Sequence, residues 1–257
     1  MTAALDALPF GAGVGLAALL GLVLGSFIAT LVLRWPDGRS LPGRSRCDGC
    51  ERALGPLDLV PLVSALVQRG RCRTCGARID PFHMQVELAS GLIGALALTI
   101  MPGIAGWLWA LFGWLLLPLA LLDARHMWLP DRLNAVLAIA GLLLAGPLLD
   151  TVLLDRWIGA VAGGVLLALV ALAYRRGRGQ DGMGGGDPKL VAAIGCWLGW
   201  QALPLMLLLA SVGGMVWALT TQKKGDQPLA LRQVPFGLFA TVAAWATVAL
   251  WPLLSAG

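Results

Sequence analysis

Apolar residues in this chain run in long stretches separated by short charged segments. The first, residues 10–33, contains no charged residue at all and is followed at once by Arg34, Trp35 and Pro36. Further stretches cover residues 84–101, 104–122, 133–149, 157–174, 190–200, 202–220 and 236–254. A helix needs about 20 residues to cross the ~30 Å hydrocarbon layer, so these runs predict about eight transmembrane helices. Residues 190–200 are short for a crossing and make the least defined boundary. A β-barrel would show alternating segments of about ten residues instead, which excludes that architecture. The expectation is an all-α polytopic membrane protein with a first transmembrane helix in 1–33, a small polar insert in 34–83 and a bundle of about seven helices in 84–257.

Composition supports that class. Of 257 residues, 58% are hydrophobic and 13% charged, and the mean hydropathy of +0.79 excludes a soluble enzyme and a disordered chain. No basic residue precedes the first stretch, which reads as a retained helix rather than a secretory signal. The net charge of +5 does not point to nucleic acid, because basic residues of a polytopic protein mark cytoplasmic loops. Eight spans would put residues 34–83, 123–132, 174–189 and 221–235 on one face. Those loops carry 18 of the 19 Lys and Arg residues and leave only Arg156 outside. The positive-inside rule then places the loops in the cytoplasm and both termini outside. Trp35, Trp128, Trp157 and Trp251 near span ends read as interfacial belt residues.

Two C-x-x-C pairs, Cys47 with Cys50 and Cys72 with Cys75, lie in the polar insert, separated by 21 residues. Four thiolates complete a closed tetrahedral zinc shell, and the spacing is close to that of a zinc ribbon. About fifty residues hold little core of their own, so a metal would supply folding free energy. Disulfides are disfavoured on a cytoplasmic face. A closed shell leaves no open coordination position, so the zinc is expected to be structural. Cys196 lies in an apolar run and reads as a packing residue.

Two acids stand out at the membrane edge. Asp123 ends an apolar run, where a negative charge opposes the helix dipole. Asp187 follows Gly184, Gly185 and Gly186 immediately before another run. Ionisable residues at such positions are functional candidates. Asp187 before Pro188 also fits a helix cap, and Asp131 between Pro130 and Arg132 reads the same way. Two carboxylates meeting at a partly dry site can share a proton. The ionised one takes a proton from water as it attacks a peptide carbonyl, and the protonated one polarises that carbonyl. The glycines before Asp187 would admit an extended substrate backbone.

The chain resembles the bacterial type IV prepilin peptidases, the leader peptidase/N-methyltransferases of pilus and type II secretion systems. Gly25-Ser26-Phe27 with Arg34-Trp35-Pro36 is similar to the family's first-span signature, and the cysteine pairs match its zinc-binding insert. Gln85-Val86-Glu87-Leu88 resembles its "LVELL" element. Ala120-Leu121-Leu122-Asp123 through Leu129-Pro130-Asp131 resembles "LID…LPD", and residues 182–190 resemble "GMGxGDxKL". Val234-Pro235-Phe236-Gly237 is similar to the late "PFG" element. The resemblance implies an intramembrane aspartic protease with Asp123 and Asp187 as the catalytic pair. It implies prepilin or pseudopilin precursors as substrates, their short basic leaders being cut on the cytoplasmic side. N-methylation of the new terminus from S-adenosylmethionine would follow. The chain departs from the family at Ala29, where Asn is usual, and at Phe82-His83-Met84, where an Arg-Tyr-Pro-like segment is usual. Glu87 is the one acid suggested for the methyl-transfer half, while His83 and His126 read as interfacial polar residues. The rival readings are an ion-coupled transporter, which would show an internal repeat and mid-membrane polar residues, and a non-catalytic secretion-assembly subunit.

Overall fold

The computed structural model describes residues 9–39, 46–47, 49–179, 184–222 and 234–255. Lys223, Lys224, Arg232 and the motif residues Gly182 and Met183 lie outside the described residues. Regular structure among the described residues is helical, with two isolated β-bridges. The chain divides into two compact units, residues 1–114 and 115–257, and the boundary falls inside one helix.

The first unit contains α1 (Phe10–Arg34), a 3-10 turn (Pro56–Leu59), a short α2 (Val63–Val67), α3 (Pro81–Ile100) and the first half of α4 (Ile104–His126). Helices α1 and α3 approach backbone to backbone. A Cβ on Gly25 would lie 2.6 Å from the Glu87 Cα, and one on Gly94 would collide with the Ala17 carbonyl. Hydrocarbon solvates leucine as well as protein does, so close contact between small residues is what draws membrane helices together. Asp80 starts α3 by accepting the Phe82 N–H at 2.9 Å, with Pro81 in the first helical position. Trp114 secures α4 to α3 by donating from Nε1 to the Ser90 carbonyl at 2.9 Å.

The second unit holds the end of α4, then α5 (Asp131–Leu144), α6 (Gly146–Leu149), α7 (Leu153–Arg178), α8 (Asp187–Thr220) and α9 (Phe236–Ser255). The expected run 133–149 is split. Helix α5 stops before Gly146-Pro147, and Arg156, 8% exposed, donates from Nη1 to the carbonyls of Gly141 and Leu142 at 3.0 Å each. The isolated arginine of the charge pattern is thus a buried cap on the α5 C-terminus. Trp197 joins α8 to α5 through Nε1 to the Leu137 carbonyl at 2.8 Å.

Helix α8 is interrupted at Gly199, with φ 72° and ψ 178°. A Cβ on Gly163 of α7 would lie 3.0 Å from Val191 Cγ1 and 3.2 Å from Leu203 Cδ1. Twelve residues of straight helix would separate those two positions by ~18 Å, so the chain doubles back at Gly199 and both legs lie along α7. The sequence pattern placed this break one or two residues later.

Six helices, α1, α3, α4, α7, α8 and α9, are long and apolar enough to cross a membrane, and α8 is counted among them as one helix. The 14 residues of α5 fall short of that length. The chain is a multi-pass membrane protein, and helix length alone does not yield the expected count of eight.

The conformation at Gly199 is open essentially to glycine alone. Gly199→Ala should lower unfolding stability by about 1–3 kcal/mol. Gly177→Ala, in α7 with open space around it, should be neutral or slightly stabilising. Thermal unfolding of the two variants in detergent checks the contrast.

Candidate active site and metal centre

Asp123 lies one turn from the end of α4, and Asp187 is the first residue of α8. Both are buried, 5% and 6% exposed. Asp123 points at the N-terminus of α9, where its Oδ2 accepts the Leu238 N–H at 2.9 Å. Leu238 is the third residue of α9, so Asp123 fills from a distant part of the chain the place an N-cap side chain would fill. The acid that opposes the dipole of its own helix therefore complements that of another.

This docking needs room at Gly237, where a Cβ would lie 2.9 Å from the Asp123 carboxyl carbon. The PFG element supplies that room. Leu129 fills the space beside it. Its Cδ1 lies 3.1 Å from the Cβ position of Gly237, and its Cβ lies 2.7 Å from that of Gly186, which immediately precedes Asp187. Leu129 therefore bridges the glycine that touches Asp123 and the glycine that precedes Asp187. Two acids from separate motifs thus occupy one buried site, and Leu129 sets the spacing between their supporting glycines.

Neither cap expected from the sequence forms. Gly186, not Asp187, occupies the cap position of α8, and Asp187 turns toward Gly184, whose Cβ position is 3.4 Å from its Oδ2. Pro130 precedes α5, and Asp131 pairs with Lys189 at 2.7 and 2.8 Å. That ion pair ties the start of α5 to the start of α8 and holds the 129–131 segment against the site. Asn134, one turn further along α5, was not singled out by sequence. It is 4% exposed and neither side-chain polar atom has a hydrogen-bond partner. The signal in the sequence was its helical spacing with Leu137 and Gly141, which together with Asn134 are the residues that α5 buries.

In the first unit, the Sγ atoms of Cys47, Cys50, Cys72 and Cys75 lie within 4.8 Å of one another. Cys47 and Cys75 are 3.7 Å apart, close to the ~3.8 Å edge of a tetrahedron with zinc–sulfur bonds of ~2.3 Å. The pairs sit in two equivalent turns. Cys47 N–H donates to the Arg52 carbonyl at 3.0 Å, and Cys72 N–H to that of Ala77 at 2.8 Å. Glu51 and Gly76 each take positive φ just after the second cysteine and return an N–H to the first cysteine's carbonyl. Bridges Arg46 to Ala53 and Arg71 to Arg78 close the turns. Each of these contacts recurs in the other turn 25 residues on. Thr74 N–H also approaches Cys72 Sγ at 3.5 Å, and the amides of Cys75 and Thr74 pull the Cys72 thiol down to about 6. A Cβ on Gly49 would come within 2.7 Å of Ala77 Cβ and 3.3 Å of Cys75 Sγ. The donor set therefore fits a metal held by four sulfurs. Cys196 stands apart, buried in α8.

Glu87 is 7% exposed, and its Oε2 accepts the Leu62 N–H at 2.9 Å. That bond anchors the segment before α2 to α3.

Comparison with known proteins agrees with the motif order. Residues 19–101 match the bacterial peptidase A24 N-terminal domain, and residues 110–219 match the type IV leader peptidase family. A prepilin leader peptidase/N-methyltransferase of Burkholderia pseudomallei is 36% identical over 96% of this chain and 88% of its own length. One of Aeromonas hydrophila is 40% identical over 81% of this chain and 71% of its own length. One of Stutzerimonas stutzeri is 33% identical over 91% and 89%. No solved structure matches. With two adjoining domain matches and relatives aligned over most of both lengths, the chain belongs to the type IV leader peptidase family.

Proposed function

We propose that this chain is a membrane aspartic endopeptidase that removes the short basic leader from type IV prepilins or type II secretion pseudopilins. The observation that carries this reading is that Asp123 and Asp187, from separate motifs, are both buried beside glycines that pack on the same Leu129. One carboxylate is ionised and takes a proton from water as the water oxygen attacks the scissile carbonyl. The other carries a proton, polarises the carbonyl oxygen and later protonates the leaving amine. Leu129 and the Asp131–Lys189 pair hold the two acids in position. The site faces the cytoplasm of a bacterial inner membrane and both termini face the periplasm, which keeps the arginine-rich loops inside. Residues 1–33, 34–83 and 84–257 act as anchor, metal-binding insert and catalytic bundle.

The four cysteines hold a structural zinc that ties the two turns together. N-methylation of the new terminus, the second activity in the names of the relatives, would take its methyl group from S-adenosylmethionine. Glu87 is the acid suggested for the methyl-transfer half; its Oε2 accepts the Leu62 N–H while its other oxygen is left for a ligand, and no step is assigned to it.

Asp123→Asn keeps an oxygen for the Leu238 amide, so it should fold normally and yet lose leader cleavage by roughly a thousandfold. Asp187→Asn should lose as much. A gel-shift assay with a co-expressed prepilin reads both, and undiminished cleavage by either variant removes the pair from the mechanism. Gly237→Ala should push the Asp123 carboxylate out of line, slow cleavage by about tenfold to a hundredfold and lower the melting temperature as the cap on α9 is lost. Metal analysis of the purified protein should find about one zinc per chain, and the double change Cys72→Ser with Cys75→Ser should abolish it and lower the thermal midpoint.

A further inference from the structure

A cavity of about 650 Å³ opens in the first unit, where the last turns of α1 meet the first turns of α3 and the cysteine segment. Five arginines line it: Arg34, Arg39, Arg46, Arg69 and Arg78. Arg39 is paired with Asp37 at 2.8 Å. The side chains of Arg34, Arg46, Arg69 and Arg78 make no ion pair or hydrogen bond among the described residues. The three acids of the wall are already engaged. Asp58 receives the Gly55 N–H, Arg52 and Gln68, and is faced by Arg73 as well. Asp80 caps α3, and Glu87 holds Leu62. Neutral amides leave the charges of Asp80 and Glu87 in place, so five arginines stand against three carboxylates and the wall keeps a net positive charge.

Beside it runs a strip that does not suit a polar insert. Leu57, Val60, Val63, Leu66 and Val67 are all exposed, Leu57 by 71% and Leu66 by 69%. Leu66, Ile79 and Met84 carry this apolar surface into the cavity wall. Exposed apolar residues in this number mark a surface with a partner. The cavity lies at the ends of two membrane helices, α1 finishing at Arg34 and α3 beginning at Pro81, which is the level of lipid headgroups. Guanidinium groups bind phosphate oxygens through paired N–H donors, and a phosphate beside an apolar strip is the chemistry of a phospholipid.

We propose that this cavity binds the phosphate headgroup of an anionic phospholipid, whose acyl chains lie along the strip of Leu57, Val60, Val63, Leu66 and Val67. The occupant joins the cysteine-containing segment to the bilayer and neutralises the arginines between them.

The test uses the full-length protein in a neutral detergent and follows its thermal midpoint against added dioctanoyl phosphatidylglycerol, dioctanoyl phosphatidylcholine or inorganic phosphate. A saturable rise is expected with phosphatidylglycerol alone. The double variant Arg34→Gln with Arg69→Gln should need roughly 25-fold more of that lipid, at about fivefold per arginine, with its metal content unchanged. Arg34→Lys with Arg69→Lys should stay within severalfold of wild type, and it serves as the reading should the glutamine variant fail to fold. An equal response to phosphatidylcholine or to inorganic phosphate overturns the proposal. So does a glutamine variant as responsive as wild type, or suppression of the lipid effect by S-adenosylmethionine.

Discussion

The bond from Leu238 N–H to Asp123 governs the second unit. A helix that ends in a carboxylate is electrostatically unfavourable, and a helix that begins inside a protein leaves amides without partners. Setting the end of α4 against the start of α9 resolves both, because one acid supplies what the other helix lacks. Little can change around that contact. Gly237 has to remain without a side chain, Leu129 fills the adjoining space, and Gly186 accepts Leu129 on its other side. Asp187 follows directly. The proposed catalytic geometry is thus held by helix ends rather than by flexible loops, and the Asp131–Lys189 pair fastens the two remaining ends.

Much of this was legible in the amino-acid order because hydrophobic runs and glycine-flanked acids are local signals. Asp123 could be singled out because its charge conflicts with its own helix, although the partner that resolves the conflict lies more than a hundred residues away and has no local signature. The cap read for Asp131, and offered as an alternative for Asp187, did not form, since a proline and a glycine took those positions; Asp131 pairs instead with Lys189 and Asp187 turns to Gly184. The reversal at Gly199 was visible only as a doubtful boundary. Among many glycines in apolar runs, composition does not reveal which one adopts a backbone angle closed to other residues. Arg156, visible as the exception to the charge pattern, carried no sign that it would cap α5.

The insert shows a different limit. Four cysteines in two C-x-x-C pairs announce a metal site by spacing alone. Arg46-Cys47-x-x-Cys50 repeats as Arg71-Cys72-x-x-Cys75, but the matching backbone after the second cysteine does not show in the side chains, because Glu51 and Gly76 share a conformation and nothing else. The equivalence resides in the main chain, which brings two cysteines from each turn to one point. The apolar segment around α2 was hidden for the opposite reason: it is only a few residues long and surrounded by arginine and glycine.

The first leg of α8, residues 187–198, spans only about 18 Å at 1.5 Å per residue, well short of the ~30 Å of hydrocarbon around it. Asp187 sits at one end of that leg and the turn at Gly199 at the other. Nine of its twelve residues are buried, so neighbouring helices rather than lipid lie directly against it. A helix that stops short of a membrane surface is tolerated where protein encloses its end or water lines it. The doubling back of α8 therefore sets the end that carries Asp187 inside the bundle, where the water that peptide hydrolysis consumes would have to arrive along a path the protein itself forms.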